Sequence, residues 1–79
     1  MADRKRNFAL EQRLRFIDFL LDHYGRLNRG ALVDYFGISV PQASIDIRTY
    51  QEHAGAEQMR YDLSERCYLA EKGFKRCWP

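Results

Sequence analysis

The sequence has 79 residues, 46% of them hydrophobic and 30% charged, with a formal net charge of +2. A chain this size forms one small domain that buries about 60% of its extended surface, and its composition is globular rather than disordered. It leaves little room for a walled pocket of ~300 Å³ or more, which argues against a self-contained enzyme, and no apolar run approaches the ~18 residues that span a bilayer.

The N-terminus is basic, but Arg13 and Arg15 interrupt the only candidate apolar stretch, so no secretory signal is expected. Two cysteines, Cys67 and Cys77, do not make a disulfide framework, and a reduced, cytoplasmic setting is the expectation. Charge is unevenly placed. Residues 1–15 carry five basic and two acidic side chains, residues 16–65 four and eight, and residues 66–79 four and one. Basic ends around an acidic middle suit either nucleic-acid contact at the ends or an ordinary solvated surface.

The first periodic segment covers about 8–24. Leu10, Leu14, Ile17, Leu21 and Tyr24 form one helical stripe, with Asn7 as a candidate N-cap and Gly25 as a left-handed stop. Phe16, Phe19 and Leu20 form a second apolar face. Either this is the central helix, buried on two sides, or the second face serves a dimer. A short helix follows, capped by Asn28, with Leu32, Val33 and Phe36 facing inward, and it stops at Gly37. A third helix starts at once, with Ser39 as N-cap and Pro41 in the first turn, and runs to about 52 or 53.

From Glu57 the period changes. Met59-Arg60-Tyr61 and Arg66-Cys67-Tyr68-Leu69-Ala70 read as two strands around the turn Asp62-Leu63-Ser64-Glu65, with Tyr61 and Tyr68 placed for a cross-strand contact. The tail 71–79 holds Phe74 and Trp78 as candidate anchors. The predicted fold class is mainly α with a small β-hairpin: three helices plus a two-stranded wing in one domain over 1–79, with helix one about 8–24, a helix-turn-helix about 28–53, the wing about 57–70 and the tail 71–79.

Residues 28–48 have the helix-turn-helix shape. Gly37 relieves a tight turn between two helices, Ile38 plugs the space between them, and Ala43 is small enough for close approach. Ala43, Ile47 and Tyr50 make the inner stripe of the third helix. Its other side carries Pro41, Gln42, Ser44, Ile45, Arg48 and Thr49. Arginine and glutamine are the side chains that contact guanine and adenine edges bidentately, and Ile45 is either a scattered surface apolar residue or a contact for a thymine methyl. The Ser39 hydroxyl is in reach of a phosphate, and Ser64 and Arg66 of the wing are candidates for backbone or minor-groove contact.

The run Gly37-Ile38-Ser39-Val40-Pro41-Gln42-Ala43-Ser44-Ile45-Asp46-Ile47 resembles the DeoR-like winged helix-turn-helix. Extended through "GRLNRGALVDYFGISVPQASIDIRTYQE" and "MRYDLSERCYLA", the chain resembles the N-terminal DNA-binding domain of WYL-domain transcriptional regulators. Some members sit beside anti-phage defence systems and repress them. The resemblance covers about residues 10–70. It implies a sequence-specific double-stranded DNA-binding regulator, a repressor in type, that pairs on a palindromic operator. The DeoR-type helix carries arginines where this chain has Ser44 and Ile45, so no base preference follows. Family members continue into a ligand-sensing domain, and this chain reads as an isolated domain or a stand-alone short form.

His23, His53, Cys67 and Cys77 lack the close pairs that structural zinc needs, and there is neither a nucleophile triad nor a phosphate loop. No cofactor, metal, membrane partner or small-molecule site is expected, and the chain is not read as an enzyme. Asp46 is expected to pair with Arg13 or Arg15. The rival reading is a winged-helix protein-docking module without DNA binding, since fold does not fix function.

Overall fold

The structure is a computed structural model that describes residues 8–78. Asn7, the basic residues before it and Pro79 lie outside the described residues.

Helix α1 (Phe8–Tyr24) buries Leu14, Ile17 and Leu21 along one stripe. Tyr24 shares their spacing but is 63% exposed; it ends the helix and lies edge-on to His23 instead of in the core. The chain then forms a two-residue strand, β1 (Arg26–Leu27), which buries Leu27. Helix α2 (Arg29–Phe36) is capped by Asn28, whose Oδ1 accepts the Ala31 N–H at 2.8 Å. It ends at Gly37, with φ +68 and ψ +30, whose N–H donates to the Val33 carbonyl. A side chain in that left-handed conformation costs roughly 1–2 kcal/mol, so the short turn to the next helix favours glycine.

Helix α3 (Val40–Ala54) begins with the Ser39 hydroxyl accepting the Gln42 N–H at 3.1 Å, a cap worth ~1 kcal/mol, and with Pro41 in the first turn. A 3-10 turn (Ala56–Gln58) leads into β2 (Met59–Asp62) and β3 (Cys67–Ala70). The sheet is antiparallel in the order β1-β3-β2. The sequence predicts two strands. The third, β1, pairs Arg26 with Leu69 and Leu27 with Tyr68, and two residues are too few for alternation to register. Tyr61 does face Tyr68 across the hairpin, with ring centroids 5.0 Å apart.

The core draws Leu14, Ile17 and Leu21 from α1, Leu32 from α2, Ala43, Ile47 and Tyr50 from α3, and Leu27 and Met59 from the sheet. The second face of α1 is partly covered by α2: Phe16 stacks on Tyr35 at 4.4 Å and meets Phe36 edge-on at 5.3 Å. An open groove of about 340 Å³ remains there, lined by Gln12, Arg15, Phe16, Phe19, Tyr35, Phe36 and Arg76. Its volume reaches the size the composition argued against, but most of its lining is solvent-exposed, so it is a surface furrow and not a walled pocket.

Two buried polar clusters join the helices. Asp46 of α3 receives Arg13 of α1 on both oxygens, at 2.5 and 3.2 Å, as the sequence anticipates. Asp18 of α1 is fully buried. Its Oδ1 accepts the Tyr50 hydroxyl at 2.5 Å, and its Oδ2 accepts the backbone N–H groups of Cys77 and Trp78 at 2.8 and 3.0 Å. Gln58 extends this cluster: its Nε2 donates to the Tyr50 oxygen and to the Lys75 carbonyl, and its Oε1 accepts the Lys75 N–H. The tail is thereby fastened to α1, α3 and the base of the wing, and Trp78 stacks on Tyr50 with centroids 5.8 Å apart.

Candidate nucleic-acid interface

The caps and the Gly37 turn set α3 so that Ala43, Ile47 and Tyr50 point inward. The opposite ridge is Pro41, Ile45 and Arg48, at spacings i, i+4 and i+7, all exposed. Ile45 is 48% exposed in the middle of this ridge. Arg48 extends from it with no hydrogen-bond or carboxylate partner among the described residues.

The other α3 candidates are already engaged within the domain. Gln42 is half-buried and its Nε2 donates to Asp46 Oδ1 at 3.0 Å, making it a third member of the Arg13–Asp46 cluster. The Ser44 hydroxyl accepts from Arg29 Nη1 at 3.1 Å, across the turn from α2. Thr49 Oγ1 donates back to the Ile45 carbonyl at 2.9 Å. Ser39 is exposed, with its hydroxyl oxygen on the Gln42 N–H.

The wing turn is built locally. Asp62 Oδ1 accepts the Glu65 N–H at 3.0 Å, and the Arg66 N–H donates to the Asp62 carbonyl at 2.7 Å. The Glu65 N–H holds the Asp62 carboxyl below its ordinary range, against a smaller opposing effect of burial. Arg66 adopts φ +56, a left-handed conformation that an arginine takes at some cost. Ser64 and Arg66 are exposed beside Leu63, which is 83% exposed at the tip. Arg26 of β1 steadies the turn, with its Nη2 3.0 Å from Glu65 Oε1 and 3.3 Å from Cys67 Sγ.

Sequence reasoning missed Arg26 and Arg29. Their roles depend on partners 39 and 15 residues away, and no local pattern encodes those. Among the described residues no cluster of three His, Cys, Asp or Glu side chains could hold a metal ion, and both cysteines are free thiols. Burial, with a smaller contribution from Asp18, pushes the Cys77 thiol up, away from ready ionisation. No described helix is long and apolar enough to cross a membrane.

Residues 9–78 match the family described as the BrxR transcriptional regulator winged helix-turn-helix domain. The chain is also similar to proteins named DNA-binding transcriptional repressor CapW. The one from Pseudomonas aeruginosa is 48% identical over 69 residues, covering 87% of this chain and 23% of that protein. The one from Escherichia coli strain KTE188 is 48% identical over 65 residues, covering 82% and 21%. The one from Stenotrophomonas maltophilia is 45% identical over 71 residues, covering 90% and 23%. The chain thus spans less than a quarter of the length of these relatives.

Proposed function

The chain belongs to the BrxR family of transcriptional-regulator winged helix-turn-helix domains, and from that premise we propose that it is the DNA-reading part of a transcriptional repressor. Helix α3 enters the major groove, and the wing grips the flanking backbone or the minor groove. Repression is steric: the bound domain occupies duplex that the transcription machinery needs.

The observation that carries this reading is the distribution of paired and unpaired arginines. Arg13, Arg26, Arg60 and Arg76 lie against Asp46, Glu65, Asp62 with Glu71, and Asp22 respectively. Arg48 on the outward ridge of α3 and Arg66 in the wing turn have no carboxylate partner among the described residues. In a domain whose middle is acidic, uncompensated cations at both points of expected contact favour a polyanion. Ile45 beside Arg48 adds an apolar group suited to a thymine methyl. Ser39, Pro41, Ser44 and Thr49 surround that pair, and Ser64 flanks Arg66.

One helix reads only a few base pairs. Two copies on a palindromic operator would supply the missing specificity, with half-sites one or more helical turns apart. The chain is expected to associate weakly on its own and to pair when two copies occupy adjacent half-sites.

The test is recovery of duplexes from a random-sequence library by the 79-residue chain, followed by titration with salt. Affinity is expected to fall as salt rises, because each neutralised phosphate releases counterions. Arg66→Asn, which removes the charge but tolerates the left-handed backbone, is expected to lower the salt slope by about one with unchanged site preference. Retention of no duplex at low salt contradicts the reading. It would turn attention to the aromatic furrow between α1 and α2, where Tyr35 is 69% exposed, as the surface of a protein-docking module.

A further inference from the structure

One guanidinium outside the reading ridge is held against it. Arg29 opens α2, yet its side chain crosses to α3, where Nη1 donates to the Ser44 hydroxyl at 3.1 Å in an exposed position. It has no carboxylate partner among the described residues, unlike Arg13, Arg26, Arg60 and Arg76. A hydroxyl is a neutral acceptor, so Arg29 is oriented without being neutralised. Its planar fork has five N–H donors, and Ser44 engages one of them. The Ser44 hydroxyl accepts in this bond and keeps its own proton to donate.

Ser44 and Arg48 are one turn apart on α3 and neighbours on its surface. Beside the Pro41–Ile45–Arg48 ridge, the flank of α3 facing α2 therefore presents a file of donors, the remaining Arg29 N–H groups. No acidic side chain is bonded into this file among the described residues. Arg29 reaches α3 from the side, off the Pro41–Ile45–Arg48 ridge that would face the groove floor. A guanidinium held to one side of that ridge, with N–H donors left over, suits a phosphodiester strand at the groove edge better than base edges.

We propose that Arg29, seated on Ser44, is a phosphate clamp that fixes how deeply and in which register α3 lies in the major groove. The inference rests on the DNA-binding reading above. Phosphate contacts position a protein on duplex without carrying sequence information. Arg29 therefore acts on affinity and orientation, and Ser44 is a positioning residue for it.

The test measures dissociation constants across a salt series for the wild-type 79-residue chain, Arg29→Ala, Arg29→Lys, Ser44→Ala and the double variant Arg29→Ala/Ser44→Ala. The probes are a duplex recovered from the random library and a scrambled duplex of equal length. Thermal unfolding checks that each variant is folded. Arg29→Ala is expected to lower the salt slope by about one and to weaken both duplexes by the same factor. Arg29→Lys should restore the slope but not the full affinity, because an ammonium cannot use the fork. Ser44→Ala should weaken binding at an unchanged slope and add nothing to Arg29→Ala. An unchanged slope in Arg29→Ala, while wild type binds in a salt-dependent way, overturns the clamp. Relaxed preference at a single base pair would make Arg29 a base reader instead. Additive losses in the double variant would remove the seat on Ser44. Failure of wild type to bind either duplex sinks the DNA-binding reading itself, and the clamp with it.

Discussion

Asp18→Ala is expected to destabilise the domain by about 2–5 kcal/mol, because each buried donor left without an acceptor costs about 1–3 kcal/mol. The substitution strands the Cys77 and Trp78 N–H groups and removes the main acceptor of the Tyr50 hydroxyl. A domain of this size has a total stability on the order of 4–12 kcal/mol, so the substitution removes a large share of it. The midpoint of urea unfolding measures the effect. Tyr50→Phe should cost about 1–2 kcal/mol, since Asp18 then keeps its two backbone donors. A midpoint for Asp18→Ala close to wild type would show that this cluster does not hold the tail.

The same cluster makes stability sensitive to alkali. Burial first, and the Asp18 carboxylate second, raise the Tyr50 hydroxyl above its ordinary value of 10.0. A raised folded value means that the unfolded chain loses this proton first. The contribution is complete below pH about 10 and declines as pH rises through and beyond it. Tyr50→Phe should flatten that decline.

Arg48→Ala is expected to weaken binding to a recovered duplex by about 1–3 kcal/mol, roughly 5- to 150-fold, and to relax preference at one base pair. Gln42→Ala should behave differently. Its amide is turned inward onto Asp46, so its loss should lower the unfolding midpoint and leave base preference intact. Competition between duplexes altered at one position at a time separates the two outcomes. A loss in Arg48→Ala that is equal on every sequence would make Arg48 a phosphate contact.

Gln42 also marks what the sequence could and could not reveal. Helical spacing places it on the polar side of α3, and spacing alone does not say that Asp46, one turn on, would draw the side chain back. The elements governed by local chemistry were legible. Asn28 and Ser39 cap the helices they precede, Gly37 takes the left-handed turn, and Tyr61 meets Tyr68. The Arg13–Asp46 pair was legible because Asp46 lies beside the inner stripe of α3 and needs a cation. Asp18 carried no such mark. It sits between Ile17 and Phe19 as any surface aspartate might, and its burial depends on a tail 59 and 60 residues away folding back onto it. Strand β1 was missed for a related reason: Arg26 and Leu27 are a strand only because β3 lies beside them.

The most direct test of the DNA-reading face is to map which backbone amides of the 79-residue chain shift in its NMR spectrum when a recovered duplex is added. The expectation is that the shifts concentrate in two places, along α3 from Ser39 to Thr49 with Arg29 beside it, and in the wing turn from Leu63 to Arg66. Shifts centred instead on Phe16, Phe19 and Tyr35, with α3 and the wing unmoved, would contradict it.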